Sequence, residues 1–203
     1  MASVFKPKGK KKYIIIYTDE NGKRCKKTGA TDKGVTARIA RDIENRVALR
    51  REGLIELEAE ERSTAGRKPL ADHLTDWYGH LIAQGHTAKH AGMSLERVRR
   101  VVALVKGATL TDIAPPRRTK QKEREAFVKR VDSLVESARL ADLTRDRVQG
   151  ALAALKDGGL SLQSVNHHRA CIRAFSRWAW RNGRMGADAL AGLVGYNVAT
   201  DRR

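Results

Sequence analysis

The 203-residue chain carries a formal charge of +18, from 41 Lys and Arg against 23 Asp and Glu, an excess too large for ordinary surface decoration. No run of about 18 apolar residues exists to span a bilayer, Met1, Ala2, Ser3 and Val4 open no secretory signal, and Cys25 and Cys171 stand far apart. Membrane-spanning and disulfide-stapled classes are thereby set aside in favour of a cytoplasmic protein with reduced thiols, nucleic acid its leading partner and an anionic membrane surface second.

The chain begins as a small β unit. Val4-Phe5, Tyr13 to Tyr17 and Lys23 to Lys27 read as three strands, the last two joined through Asn21-Gly22, residues that tolerate positive φ in a hairpin turn. Lys6, Lys8, Lys10, Lys11 and Lys12 crowd the first connection, and Lys23, Arg24, Lys26 and Lys27 continue the charge. A sheet basic along one face suits a ribbon laid on DNA, with Lys8, Lys10, Lys12, Arg24 and Lys26 as the candidate contacts; the plainer account is a lysine tail and an isolated hairpin. Three strands need an apolar cover. A helix capped by Thr31 or Asp32, with Val35, Ile39, Ile43 and Val47 as its stripe to about Arg51, supplies one.

After Gly53 the sequence turns acidic through Glu61, and residues 63–69, with Gly66 and Pro69 among small and polar neighbours, have the composition of a linker. The expected division is a β-plus-helix domain at 1–62, a linker at 63–69, an all-α domain at 70–194 and a hinge at 195–203, an α+β chain in total.

Aromatic content of 5% leaves the second domain to Leu, Val, Ile and Ala, which favours helices. Leu70, Leu74, Trp77 and Leu81 share one face and Gly85 ends that element. A second helix spans about 87–106, apolar at Leu95, Val98, Val102 and Val105 and polar at Lys89, His90, Arg97 and Arg100. A Pro-rich break at Ala114 leads to a helix from about Lys122 with Phe127, Val131, Leu134 and Val135 inward. Thr144 caps the next, containing Val148, Leu152 and Leu155, and Gly158-Gly159 ends it.

The last long helix, 161–182, organises the rest. Ser161 caps it, and Val165, His168, Ile172, Phe175 and Ala179 recur at helical spacing. At about 100° per residue, Gln163, Asn166, Arg173, Arg177 and Arg181 lie opposite with Arg169 on the flank. Such a helix can enter a major groove, Asn166 pairing with adenine and Arg173 anchoring phosphate; an ordinary core helix with a solvated basic face is the bland alternative. His86 and His90 are four residues apart, as some metal ligands are, but no third ligand accompanies them. His167 and His168 diverge, one toward the core and one toward water, so phosphate-contacting or core roles are preferred to metal for all four. No cofactor is called for.

The segment Leu160 to Trp178 resembles the last long helix of the core-binding domain of tyrosine recombinases, or phage integrases. Ala189-Leu190-Ala191-Gly192-Leu193 resembles the Asn-Pro-Leu segment after that helix, although Ala187-Asp188-Ala189 departs from it, and residues 195–203 look like the hinge before the catalytic domain. The hairpin and first helix, with Thr28-Gly29 after the last strand, resemble an arm-type DNA-binding domain.

The resemblance implies a SAM-like core-binding bundle forming half of a C-shaped clamp on duplex DNA, a recombination half-site with arm-type sites as a further target. It implies other protomers as partners, four in the synaptic complex, and a bacterial or phage setting at the nucleoid. Two helices would face the groove, one through Thr87, Lys89, His90, Arg97 and Arg100 and the other through Gln163, Asn166, Arg169, Arg173 and Arg177. Catalysis in this family is attack by a tyrosine on a phosphodiester, without metal, in a domain beginning after Arg203. Tyr13, Tyr17, Tyr78 and Tyr196 suit strand, core-margin and hinge roles, so no catalytic residue is assigned here. The competing classes are a non-enzymatic architectural or excision-regulating DNA-binding protein and a basic helical protein-interaction module.

Overall fold

The structure, a computed structural model, describes residues 2–55, 57–113 and 121–201, with the backbone alone at 121–124 and 127. The Pro-rich break expected at Ala114, and the side chain of Phe127, lie outside the described residues. The fold is α+β, a small antiparallel sheet plus helices, and the chain divides into two compact units, Met1–Glu60 and Glu61–Arg203.

In the first unit β1 (Ser3–Phe5), β2 (Ile14–Thr18) and β3 (Arg24–Thr28) form an antiparallel meander in that order, with Ile15 opposite Val4 on one side and Lys27 on the other. Alternation along β2 sends Ile15 to the face covered by α1 (Lys33–Arg51), where it is fully buried, and Ile14 and Ile16 to the opposite face. The Asp19 carboxylate builds the turn, accepting from the N–H groups of Asn21 at 3.0 Å and Lys23 at 2.7 Å. Only Gly22 takes positive φ there, at 83°; Asn21 does not.

Asp32, not Thr31, caps α1, its carboxylate accepting from Val35 N at 2.7 Å. The buried stripe is Thr36, Ala40 and Val47 rather than one led by Val35, which is 48% exposed. Thr36 decides this rotation: its hydroxyl accepts from Ala30 N at 3.1 Å and donates to Asp32 O at 2.7 Å, so position 36 faces the incoming chain. The same packing explains Gly29, where a Cβ would sit 2.4 Å from the Thr36 methyl.

The expected linker at 63–69 is a correction. Residues 63–67 are the second half of α2 (Leu57–Arg67), within which the division between the units falls. Glu58, Ala59, Glu60, Glu61 and Arg62 are strong helix formers that carry the helix through the small residues after them, and Pro69 bounds it. Glu60 and Glu20, the latter at 3.1 Å, both pair with Arg50 inside the first unit.

The second unit is helical. Its elements are α3 (Leu70–Ala83), α4 (Ala88–Val105), the short α5 (Leu110–Ile113), α6 (Gln121–Ser137), α7 (Arg145–Asp157) and α8 (Leu162–Arg181). Thr87, Thr144 and Ser161 each accept from the N–H three residues on, so the three long helices facing one another are all capped, Thr144 and Ser161 as the sequence indicates. Pro69 gives α3 no side-chain cap, and Ala138 O takes the Leu70 N–H instead, at 2.9 Å. The core runs from Leu70, Leu74 and Trp77 through Val98, Val102, Val135 and Leu152 to Ile172 and Phe175, with the Trp77 and Phe175 rings edge to face at 5.6 Å. On α4 the buried side is Ala91, Ser94, Val98, Val101, Val102 and Ala103, while Leu95 and Val105 sit at its margin.

After α8 the chain turns at Gly183 and runs back along the same helix, sending Leu190 and Leu193 into the core at 0% and 2% exposure. This returning segment is therefore as much part of the unit as any helix. Leu190→Ala should cost about 2–5 kcal/mol in urea unfolding, the loss typical of a truncated core leucine, whereas Val194→Ala, at a residue 75% exposed, should stay within about 0.5 kcal/mol.

Candidate nucleic-acid interface

α8 has two occupied sides and one open strip. Val165, His168, Ile172, Phe175 and Ala179 are buried, as their spacing requires, with α4, α7 and α3 packed on the helix. A second side, formed by Asn166, Arg169, Arg173 and Ser176, holds residues 188–196. The Asn166 amide donates to Tyr196 O at 2.8 Å and accepts from Tyr196 N at 2.9 Å, Arg169 donates to Leu193 O at 3.0 Å, Arg173 to Ala191 O at 3.0 Å, and Ser176 to the Asp188 carboxylate at 2.6 Å.

These bonds correct the assignment of three residues. Asn166 spends its donor and its acceptor on one backbone unit, leaving no amide edge for a base. The guanidiniums of Arg169 and Arg173 are turned onto carbonyls of the returning chain, with both Nε atoms buried. Glycine lets the segment lie close: a Cβ on Gly195 would stand 3.1 Å from Arg169 Cζ, and one on Gly192 2.9 Å from Arg145 Cζ. The expected hinge is likewise anchored, with the Tyr196 hydroxyl accepting from Gln149 at 3.3 Å, Lys156 5.9 Å from its ring centre, and the Asp201 carboxylate accepting from Leu162 N at 2.7 Å. Thr87, exposed, accepts from His90 N at 3.2 Å as the cap of α4 and keeps its own O–H donor.

The open strip of α8 carries Gln163, His167, Arg177 and Arg181, all exposed, with exposed Ala174 between them. Beside it, the first half of α4 and the start of α8 enclose a groove of about 620 Å³. Lys89, Arg97 and Arg100 line it from α4, and Ser164, His167 and His168 from α8; Gly92 leaves the backbone of α4 bare at its middle. Among the described residues neither Arg97 nor Arg100 has a carboxylate partner, whereas Arg99, one position away, pairs with Glu96 and Asp132. Glu96 also lines the groove, but is engaged at 3.6 Å with Arg99. His90 is exposed and stacks on His86 with ring centres 5.0 Å apart. Thus Lys89, His90, Arg97, Arg100, Gln163 and Arg177 keep their place as candidate contacts, and His167 joins them. Its signal in the sequence was its neighbour: with His168 inward, His167 must face out.

The first unit offers a separate basic surface. Lys8, Lys10 and Lys12 are exposed in the β1–β2 connection, and Arg24 and Lys26 stand opposite Thr18 and Ile16, on the sheet face away from Ile15 and α1. Phe5, 44% exposed, shares that face.

No group of three or more His, Cys, Asp or Glu able to hold a metal gathers among the described residues. Among them, too, no helix is long and apolar enough to cross a membrane. Comparison with protein-family models, with curated proteins and with solved structures gives no match.

Two buried histidines make the helical unit sensitive to acid. His73 donates from Nε2 to Ala65 O at 3.0 Å, and its Nδ1 accepts from Arg184 at 2.9 Å; Arg184 also pairs with Asp76 at 2.7 Å and lies over the Trp178 ring at 4.4 Å. His168 holds Ser164 O at 2.9 Å through Nδ1. Burial, chiefly, holds both below the ordinary value of 6.5, aided by Arg184 for the first and by Arg100 and Arg97 for the second. The unfolded chain then binds protons that the native state refuses, so their contribution is intact above pH 6.5 and is lost as pH falls below it. Urea unfolding followed downward from neutral pH should lose about 1.4 kcal/mol per pH unit for each histidine until its native value is reached, and His73→Gln should remove its share of that slope.

The anchored amide generates a second expectation. Asn166→Ala should lower stability by about 1–3 kcal/mol, because it strands both polar groups of Tyr196, and should leave base preference in any DNA complex unchanged. A specific loss for one duplex sequence, with urea stability intact, would return Asn166 to a reading role.

Proposed function

We propose that the chain binds duplex DNA, with the α4–α8 groove and the adjoining open strip of α8 as the main contact surface. One observation carries the reading: Lys89, Arg97, Arg100 and His167 gather around a single groove in which Arg97 and Arg100 have no acidic partner among the described residues. A chain of charge +18 needs a polyanion, and a row of uncompensated cations flanking two capped helices is where phosphates are neutralised. Gln163 and Arg177, exposed on α8 beside this row, are the candidates for base edges. The outer face of the β1–β3 sheet, with Arg24 and Lys26, is a second contact surface of its own unit.

The order of elements supports a finer reading. A three-stranded sheet crossed by one helix, followed by a helical unit ending in a long capped helix, is the arrangement the resemblance to tyrosine recombinases implies. We therefore read this chain as the DNA-binding part of a site-specific recombinase of the bacterial or phage cytoplasm, its helical unit SAM-like, its ligand a recombination half-site and its partners other protomers. The cutting and joining chemistry is assigned to a catalytic domain, so these residues should bind duplex without breaking it.

Binding isotherms across a salt series test the proposal. Affinity should fall steeply with salt, and Arg97→Ala and Arg100→Ala should each lower the slope of log K against log salt by about one. Arg173→Ala, at a residue committed to Ala191 O, should leave that slope unchanged. Absence of duplex binding, or slopes indifferent to Arg97 and Arg100, would overturn the assignment.

A further inference from the structure

The floor of the α4–α8 groove holds a group that a purely electrostatic seat does not need. His168 is 5% exposed, and its Nδ1 lies 2.9 Å from Ser164 O, an atom that can only accept, so Nδ1 carries the ring proton. Nε2, at the far end of the ring from α8, is then a bare lone pair, buried without a partner among the described residues. Leaving a buried acceptor unmatched is unfavourable, and such groups are few in native proteins. Around it stand the unpaired Arg97 and Arg100, with Lys89 and Glu96 from the same helix and His167 from α8; among the described residues, no charged side chain of α3 or α7 lines the groove.

We propose that this groove is a seat for one backbone phosphodiester, received by Arg97 and Arg100 above His168, and that His168 takes up a proton at Nε2 as the phosphate arrives. The inference rests on the duplex-DNA reading given above and adds to it a defined seat and a proton count. No covalent bond changes: the proton comes from solvent, Nδ1 keeps its own, and the imidazolium faces a phosphate that neutralises the two guanidiniums. Those guanidiniums, with burial as the larger cause, keep the empty site neutral. An anion placed between them removes that opposition and rewards the charged ring. The sign follows. The free-state value lies below 6.5 and the bound-state value above the free one, so the added affinity is complete below the former and is lost as pH rises through the latter.

The test uses the whole chain and a short duplex oligonucleotide across about pH 5.5–8, where histidine titrates and phosphodiesters do not. Side-chain nitrogen NMR of the wild-type protein reads the ring directly. Free, His168 should be the neutral Nδ1–H form; with duplex, both nitrogens should carry protons. Calorimetry in buffers of different ionisation enthalpy should show proton uptake, and affinity should fall up to about tenfold per pH unit inside the window. His168→Gln should flatten that component, while His73→Gln, at a buried histidine outside the groove, should leave it in place. A merely structural histidine would change stability without changing this profile. If no duplex binds, both this inference and the functional reading fail. If duplex binds with salt slopes that depend on Arg97 and Arg100 while Nε2 stays unprotonated, or the pH profile survives His168→Gln, the proton-coupled seat fails alone.

Discussion

The bidentate grip of the Asn166 amide on the backbone of Tyr196 organises the surface of the second unit. It completes a row in which Arg173, Arg169 and Asn166, at helical spacing, each hold the returning chain, while Leu190 and Leu193 fill the core between the anchors. A helix has a limited circumference. Once the core takes one side of α8 and the returning segment a second, the open strip and the groove beside α4 are what remain for a partner. The proposed interface is thus chosen by subtraction.

Guanidinium groups serve two ends in this unit, and their acceptors distinguish them. Arg169 and Arg173 meet neutral carbonyls of the returning chain, and Gly195 lies where a Cβ would stand 3.1 Å from Arg169. Arg184 joins His73, Asp76 and Trp178 at the other end of α8, where one planar cation is hydrogen-bonded at its edge and stacked on its face. Arg97 and Arg100 meet no acid among the described residues. Identical residue types thereby act as struts in one place and stand without an acidic partner among the described residues in another.

Much of this was legible from spacing alone. The caps at Thr144 and Ser161 and the buried stripes of α3, α7 and α8 follow from local rules that the bundle does not oppose. The site was half legible. Periodicity placed Asn166, Arg169 and Arg173 opposite the core, which is correct, but polar and opposite the core does not mean free. What covers them arrives from more than 15 residues later, and hydrogen bonds to carbonyls leave no trace in composition. Residues 63–67 were misread for the converse reason: small residues suggest a boundary, while the strong helix formers before them carry the helix onward. In α1 the rotation was set by Thr36, a polar residue that no apolar count selects.

Net charge favours a polyanion as the proposed partner, and pairing within the fold narrows where it would bind. Among the described residues many cations are already answered: Arg50 by Glu60 and Glu20, Arg99 by Glu96 and Asp132, Arg147 and Lys106 by Asp142, Arg184 by Asp76. Exposed pairs of this kind add little stability each, yet they remove those cations from competition for an external anion. Among the described residues Arg97 and Arg100, lining one groove, meet no acid, so their repulsion is left unanswered there. A fold retains such a cluster at a cost to its own stability, and burial together with Arg100 and Arg97 disfavours the charged form of the neighbouring His168. A polyanion relieves both constraints at once, which makes the least compensated part of this surface the part best matched to a phosphate backbone.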